Sequence, residues 1–134
     1  MKTLVIYYTR TGNTKFVAET IAAELEADLE EIIDLKNRQG RLACISAGKD
    51  AMSVNETKIA KTKSTTTDYD LIIIAQPVWA GSPTPAIRTF LNKNDLSGKK
   101  VALFFSDSSS GQAFEKTKKL MLNSTFVAEL AIPA

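Results

Sequence analysis

The stretch that most constrains this chain is Tyr69-Asp70-Leu71-Ile72-Ile73-Ile74-Ala75. From Leu71 onward it has no polar face, and its middle is three consecutive β-branched residues. A strand with one wet face alternates polar and apolar residues, whereas a strand covered on both faces reads as a continuous apolar run. Such a strand lies inside a parallel sheet. Parallel neighbours cannot be joined by a tight turn and need crossover connections, usually helical. The rest of the chain must therefore supply alternating strands and helices.

It does so. Residues 2–8 read as a buried strand built on Leu4-Val5-Ile6-Tyr7-Tyr8. Residues 15–27 place Val17, Ala18, Ile21, Ala22 and Leu25 on one helical face. Glu30-Glu31-Ile32-Ile33 reads as a weaker strand, and its acidic residues suit a sheet edge, where charge discourages intermolecular pairing. Residues 34–68 are the least regular. Asn37-Arg38-Gln39-Gly40 is a turn signal, residues 42–52 suit a helix, and residues 53–67 read as irregular. After the central strand, residues 76–85 form a loop. Thr84 can cap, and Pro85 can open, a helix that buries Ile87, Phe90 and Leu91. Val101-Ala102-Leu103-Phe104-Phe105 is the fourth strand. Residues 112–122 are a helix burying Phe114, Thr117 and Met121, and residues 126–132 are the fifth strand. Five strands and four crossovers predict one α/β domain over residues 1–134, a parallel sheet with right-handed crossovers and helices on both faces.

In such sheets ligands bind beyond the carboxyl ends of the strands, where the winding reverses. The loops after strands one, three and four all lie there. The first is Thr9-Arg10-Thr11-Gly12-Asn13-Thr14. It feeds a helix N-terminus, whose unpaired N–H groups and positive dipole end favour anions. Three hydroxyls and a glycine that permits close backbone approach strengthen that reading, although the same residues also suit an ordinary N-cap turn. The second holds Pro77, Val78, Trp79, Ala80 and Gly81; the third is Ser106-Asp107-Ser108-Ser109-Ser110-Gly111.

Composition narrows the chemistry. The chain has no histidine, which excludes Ser-His-Asp and Cys-His machinery and His-ligated zinc. Its single cysteine, Cys44, excludes an intrachain disulfide and any cysteine-cluster metal site, so no metal is expected and a reducing cytoplasm is the simplest compartment. No apolar run approaches a membrane span, and Met1-Lys2 leads straight into a strand with no apparent signal peptide. If the chain supports a reaction, a bound cofactor carries the chemistry. The net charge of +2 hides an acidic first quarter and a basic middle, with seven basic and three acidic residues over 35–68. That middle lacks aromatics for base stacking, so it reads as a solvated face and no nucleic-acid partner is expected. No Gly-Lys-Ser/Thr follows the first loop, which excludes a Walker-type nucleotide site.

Taken together, the three loops resemble those of the flavodoxin family, the small FMN-binding electron carriers, over essentially the whole chain. The resemblance implies a flavodoxin-like, doubly wound five-stranded sheet of order 2-1-3-4-5. It identifies Thr9, Arg10, Thr11, Gly12, Asn13 and Thr14 with the phosphate loop. Pro77, Val78, Trp79, Ala80 and Gly81 correspond to the first isoalloxazine loop, with Trp79 stacking on the flavin and the Ala80–Gly81 peptide near its N5. Ser106, Asp107, Ser108, Ser109 and Gly111 correspond to the second, which meets the pyrimidine edge. The implied function is low-potential, non-catalytic electron transfer between redox proteins through FMN. The alternative is an FMN-dependent NAD(P)H:quinone oxidoreductase on the same fold. Two departures from the family pattern shape the expectations. Ser110 stands where many members carry a second aromatic, which would leave one flavin face open. Pro133-Ala134 leaves no room for the customary fifth helix, and a homo-oligomer or the residue 42–67 segment would then cover the bare sheet face.

Overall fold

The computed structural model describes residues 2–10, 12–35, 57–77, 82–106 and 110–132. The expected helix at 42–52 and Cys44 lie outside the described residues. So do Thr11, the four residues from Val78 to Gly81, and Asp107, Ser108 and Ser109.

Five strands, β1 (Thr3–Tyr7), β2 (Asp28–Glu31), β3 (Leu71–Pro77), β4 (Lys100–Ser106) and β5 (Thr125–Ile132), form one sheet of order β2-β1-β3-β4-β5. Every neighbouring pair is parallel. Three helices are described: α1 (Asn13–Leu25), α2 (Pro85–Lys93) and α3 (Ser110–Lys118). The central apolar run behaves as its composition demands. Ile72, Ile73 and Ile74 are at most 1% exposed, because alternate residues feed different cores. Ile72 and Ile74 pack with Ile87, Phe90 and Phe114 of α2 and α3; Ile73 and Ala75 pack with Ala18 and Ala22 of α1. Helices thus cover both faces, and among the described residues α1 is the helix on one of them.

Several expectations shift in detail. The buried stripe of α1 is Thr14, Ala18 and Ala22, and Leu25 is 53% exposed. Val17 and Ile21 are half-buried, so α1 meets the sheet chiefly through its small residues, and it starts at Asn13 rather than residue 15. β2 begins two residues earlier than its apolar residues suggested, set by pairing of Leu4 with Asp28. β3 continues through Gln76 and Pro77, residues expected in the loop. Thr84 caps α2 as expected, its hydroxyl accepting from the Ile87 N–H at 3.4 Å, with Pro85 in the first turn.

The described part of the irregular middle is anchored to the β2 side of the molecule. Leu35 N–H donates to the Lys58 carbonyl and Ala60 N–H to that of Ile33. Thr57 and Thr89 of α2 exchange two hydrogen bonds, of 3.0 and 2.8 Å. Glu30, read above as an edge charge, is buried, and its carboxylate accepts from the Lys63 and Ser64 N–H groups at 2.9 and 2.6 Å. Residues 57–64 therefore line the opposite edge from β5, whose Val127 and Leu130 are exposed. A register shift between Val101 and Ala102 leaves Val127 unpaired opposite β4, a bulge of the kind that blunts sheet edges.

Candidate functional site

Because β1, β3 and β4 are parallel, their carboxyl ends sit side by side. Tyr7 pairs with Ala75, and Pro77 with Ser106. The predicted loops therefore do leave the sheet at one rim, and one hydrogen bond ties two of them together. The Thr14 and Ser106 hydroxyls lie 3.0 Å apart, joining the first turn of α1 to the end of β4. Thr14 is buried and Ser106 half-buried.

The start of α1 leaves backbone N–H groups of the kind that favour an anion. Its N-cap is Gly12, at φ 101° and ψ −13°, a left-handed conformation that L side chains rarely adopt. Gly12 N–H donates to the Thr9 hydroxyl oxygen at 2.9 Å, which closes the turn. The first intrahelical bond runs from Phe16 N–H to the Gly12 carbonyl. The N–H groups of Asn13, Thr14 and Lys15 precede it and have no helical acceptor. Among the described residues no side chain caps this terminus, and its first turn holds no acidic residue. Ordinary helices fill that position with Ser, Asp or Asn and an acidic neighbour; here the position is Gly12, with the Thr9 and Thr14 hydroxyls in hydrogen bonds on either side of it. Arg10 is half-buried beside it, and Asn13 and Lys15 are exposed.

Of the sixteen residues expected at the site, those from Thr9, Arg10, Gly12, Asn13 and Thr14 through Pro77 and Ser106 lie at this rim, and Gly111 falls in the first turn of α3. The isoalloxazine-loop residues Val78, Trp79, Ala80 and Gly81, together with Thr11, Asp107, Ser108 and Ser109, fall outside the described residues.

The structure adds a polar group that sequence reasoning missed. Gln76 closes the apolar run of β3 and is fully buried, at 0% exposure. Its Oε1 accepts from both the N–H and the hydroxyl of Thr84, each at 2.9 Å. The signal was available: a glutamine at the end of an otherwise apolar strand must find partners for both halves of its amide. Nearby, Lys116 of α3 donates to the buried Ser82 hydroxyl at 2.9 Å. Also close to this rim, at the end of β1, burial pushes the Tyr7 phenol up to about 12, aided by the Glu31 carboxylate that accepts its hydrogen at 3.3 Å.

Comparison with known proteins agrees with this fold. A flavodoxin family model matches residues 2–129. No curated protein sequence matches the chain significantly. Among solved structures, a flavoprotein from Lactobacillus acidophilus in complex with FMN is similar at a TM-score of 0.80 and 25% identity, covering 97% of this chain and 92% of that one. A protein from Bacteroides eggerthii assigned as a flavoprotein is similar at 0.83 and 26%, covering 97% and 87%. A short-chain flavodoxin associated with a bacterial microcompartment shares the fold at 0.57 and 16% identity, covering 99% and 84%.

Proposed function

The chain belongs to the flavodoxin family, and on that premise we propose that it binds FMN and carries single electrons between redox proteins. The observation that supports this most is the N-terminus of α1, which opens on Gly12 at φ 101° with no side-chain cap among the described residues and is braced by Thr9 at the rim shared with β3 and β4. A phosphate monoester is the group that such a terminus accommodates without a metal.

In this reading the N–H groups of Asn13, Thr14 and Lys15 and the hydroxyls of Thr9, Thr11 and Thr14 hold the phosphate. Arg10 adds positive charge beside it. Trp79 supplies a flat aromatic face for the flavin, Gly81 a peptide free to adjust near N5, and Asp107 with Ser108 and Ser109 acceptors and donors for the pyrimidine edge. FMN bound there supplies reversible uptake of one electron at a time. The protein positions the ring and sets the charge around it, and histidine takes no part because the chain has none.

The test is direct. Purified protein titrated with FMN should quench flavin fluorescence to a stoichiometry of one per chain and release FMN on denaturation. It should not oxidise NAD(P)H with a quinone as acceptor. Failure to take up FMN overturns the proposal. Sustained NAD(P)H:quinone turnover replaces the carrier role with the oxidoreductase one.

A further inference from the structure

Ser106 is the last residue of β4, and its parallel partner at the rim is Pro77 of β3. Its side chain is engaged by the protein itself. The Ser106 and Thr14 hydroxyls lie 3.0 Å apart, and Ser106 Oγ also stands 3.5 Å from the Gln76 carbonyl oxygen, a long contact. A hydroxyl carries one hydrogen and two lone pairs. Ser106 can therefore donate to Thr14, or accept from it and turn its own hydrogen to the Gln76 carbonyl. The link to α1 holds in either sense. Thr14 is 3% exposed, so bulk water is a poor substitute for Ser106 as its partner.

What the bond joins matters more than its strength. Thr14 stands in the first turn of α1, between Asn13 and Lys15, whose N–H groups precede the first intrahelical bond. Ser106 is the root of the loop that follows β4. The strand that leads into α1 is β1, and β3 lies between β1 and β4. Sheet hydrogen bonds therefore set the end of β4 against β3 and not against the start of α1. The Thr14–Ser106 bond spans that gap.

We infer that Ser106 is a positioning residue of the cofactor site: its hydroxyl, through Thr14, fixes the span between the phosphate turn and the loop after β4, and touches neither phosphate nor ring. The inference rests on the FMN reading above. It departs from the resemblance, which groups Ser106 with the residues that meet the pyrimidine edge. FMN joins its phosphate and its ring by one short chain. Such a ligand gains from engaging both ends only where the two subsites are held at the span of its linker. Riboflavin carries the ring without the phosphate and is indifferent to that span.

Ser106→Ala removes the hydroxyl and keeps the strand. Fluorescence quench titrations with FMN and with riboflavin, on variant and wild type, separate positioning from contact with the ring. FMN affinity should fall roughly tenfold, while riboflavin affinity stays within about twofold of wild type. Thr14→Val breaks the same bond from the other side, so adding Ser106→Ala to it should weaken FMN binding no further. Equal losses for the two ligands put Ser106 on the ring and overturn the inference, as does an FMN affinity unchanged from wild type. A full further loss in the Thr14→Val background separates Ser106 from Thr14 and overturns it too. Wild-type uptake of FMN is read first. Its failure overturns the carrier reading and this inference with it, whereas uptake without a selective loss in Ser106→Ala overturns the inference alone.

Discussion

At the scale of single residues, Gly12 separates backbone strain from crowding. A Cβ built there meets no atom within 4 Å, yet φ is 101°. The Gly12→Ala cost is therefore conformational, about 1–3 kcal/mol for an L-residue in a sparsely populated region. The smaller entropy of the unfolded alanine chain returns about 0.4–1 kcal/mol. The net expectation is a loss of about 1 kcal/mol in urea unfolding of the apoprotein, with weaker FMN binding because the N–H groups of the first turn are re-aimed. An apoprotein as stable as wild type would show that the turn relaxes at no cost. Gly12 was legible in the sequence, since a glycine between a strand and a helix has few other uses. Gln76 was legible only as a polar residue in need of partners, because the apolar run invites ending β3 at Ala75. The group that gives the glutamine its purpose, the N–H of Thr84, is a main-chain donor with no sequence signature.

At the scale of elements, the strand–helix alternation and the central position of β3 could be read from the sequence, since a short apolar run rich in β-branched residues fits a strand buried on two faces. The role of β2 could not. Its Glu30 carries the return of the chain through residues 63 and 64, more than thirty positions away, and the backbone donors it holds could belong to any residue type. Tyr7 and Glu31, paired in register at the ends of β1 and β2, give this edge a pH signature. Burial first, and the Glu31 charge second, raise the phenol to about 12, against 10.0 for a free tyrosine. Below pH 10 both folded and unfolded chains keep the proton and the pair contributes fully. Between pH 10 and 12 the unfolded chain loses it while the folded one does not, so stability falls as pH rises. Two pH units of displacement correspond to about 2–3 kcal/mol. Tyr7→Phe has no such proton to lose. Its stability deficit relative to wild type at pH 9 should shrink by about that amount at pH 12 in denaturant titrations. Parallel decline of both proteins would remove Tyr7 as the cause. The Tyr69 phenol, raised chiefly by its hydrogen bond to Asp28 at 2.6 Å, is common to both and cancels.

At the scale of the whole molecule, α1 packs on one face of a five-stranded sheet, and the proposed cofactor rim sits at the N-terminal end of that helix. Binding at the rim therefore acts on the stability of the entire fold. A ligand that binds only the folded chain at a hundred times its dissociation constant adds about 2.7 kcal/mol. For a domain of this size that is a rise of about 10 °C in melting temperature. Riboflavin offers the same ring without the phosphate. If the open terminus of α1 holds the phosphate, losing that contact removes at least one charge-assisted hydrogen bond, worth about 1.5–3 kcal/mol, and lowers affinity by at least about tenfold. At equal concentration riboflavin should then raise the melting temperature by half as much as FMN or less, measured by scanning calorimetry, where flavin fluorescence does not interfere. Equal shifts from the two ligands would move the phosphate away from α1, because a helix terminus answers the anion and is indifferent to the ring. The same comparison in Gly12→Ala places the effect: the gap between FMN and riboflavin should narrow there, since the variant damages the phosphate turn and leaves the end of β3 in place.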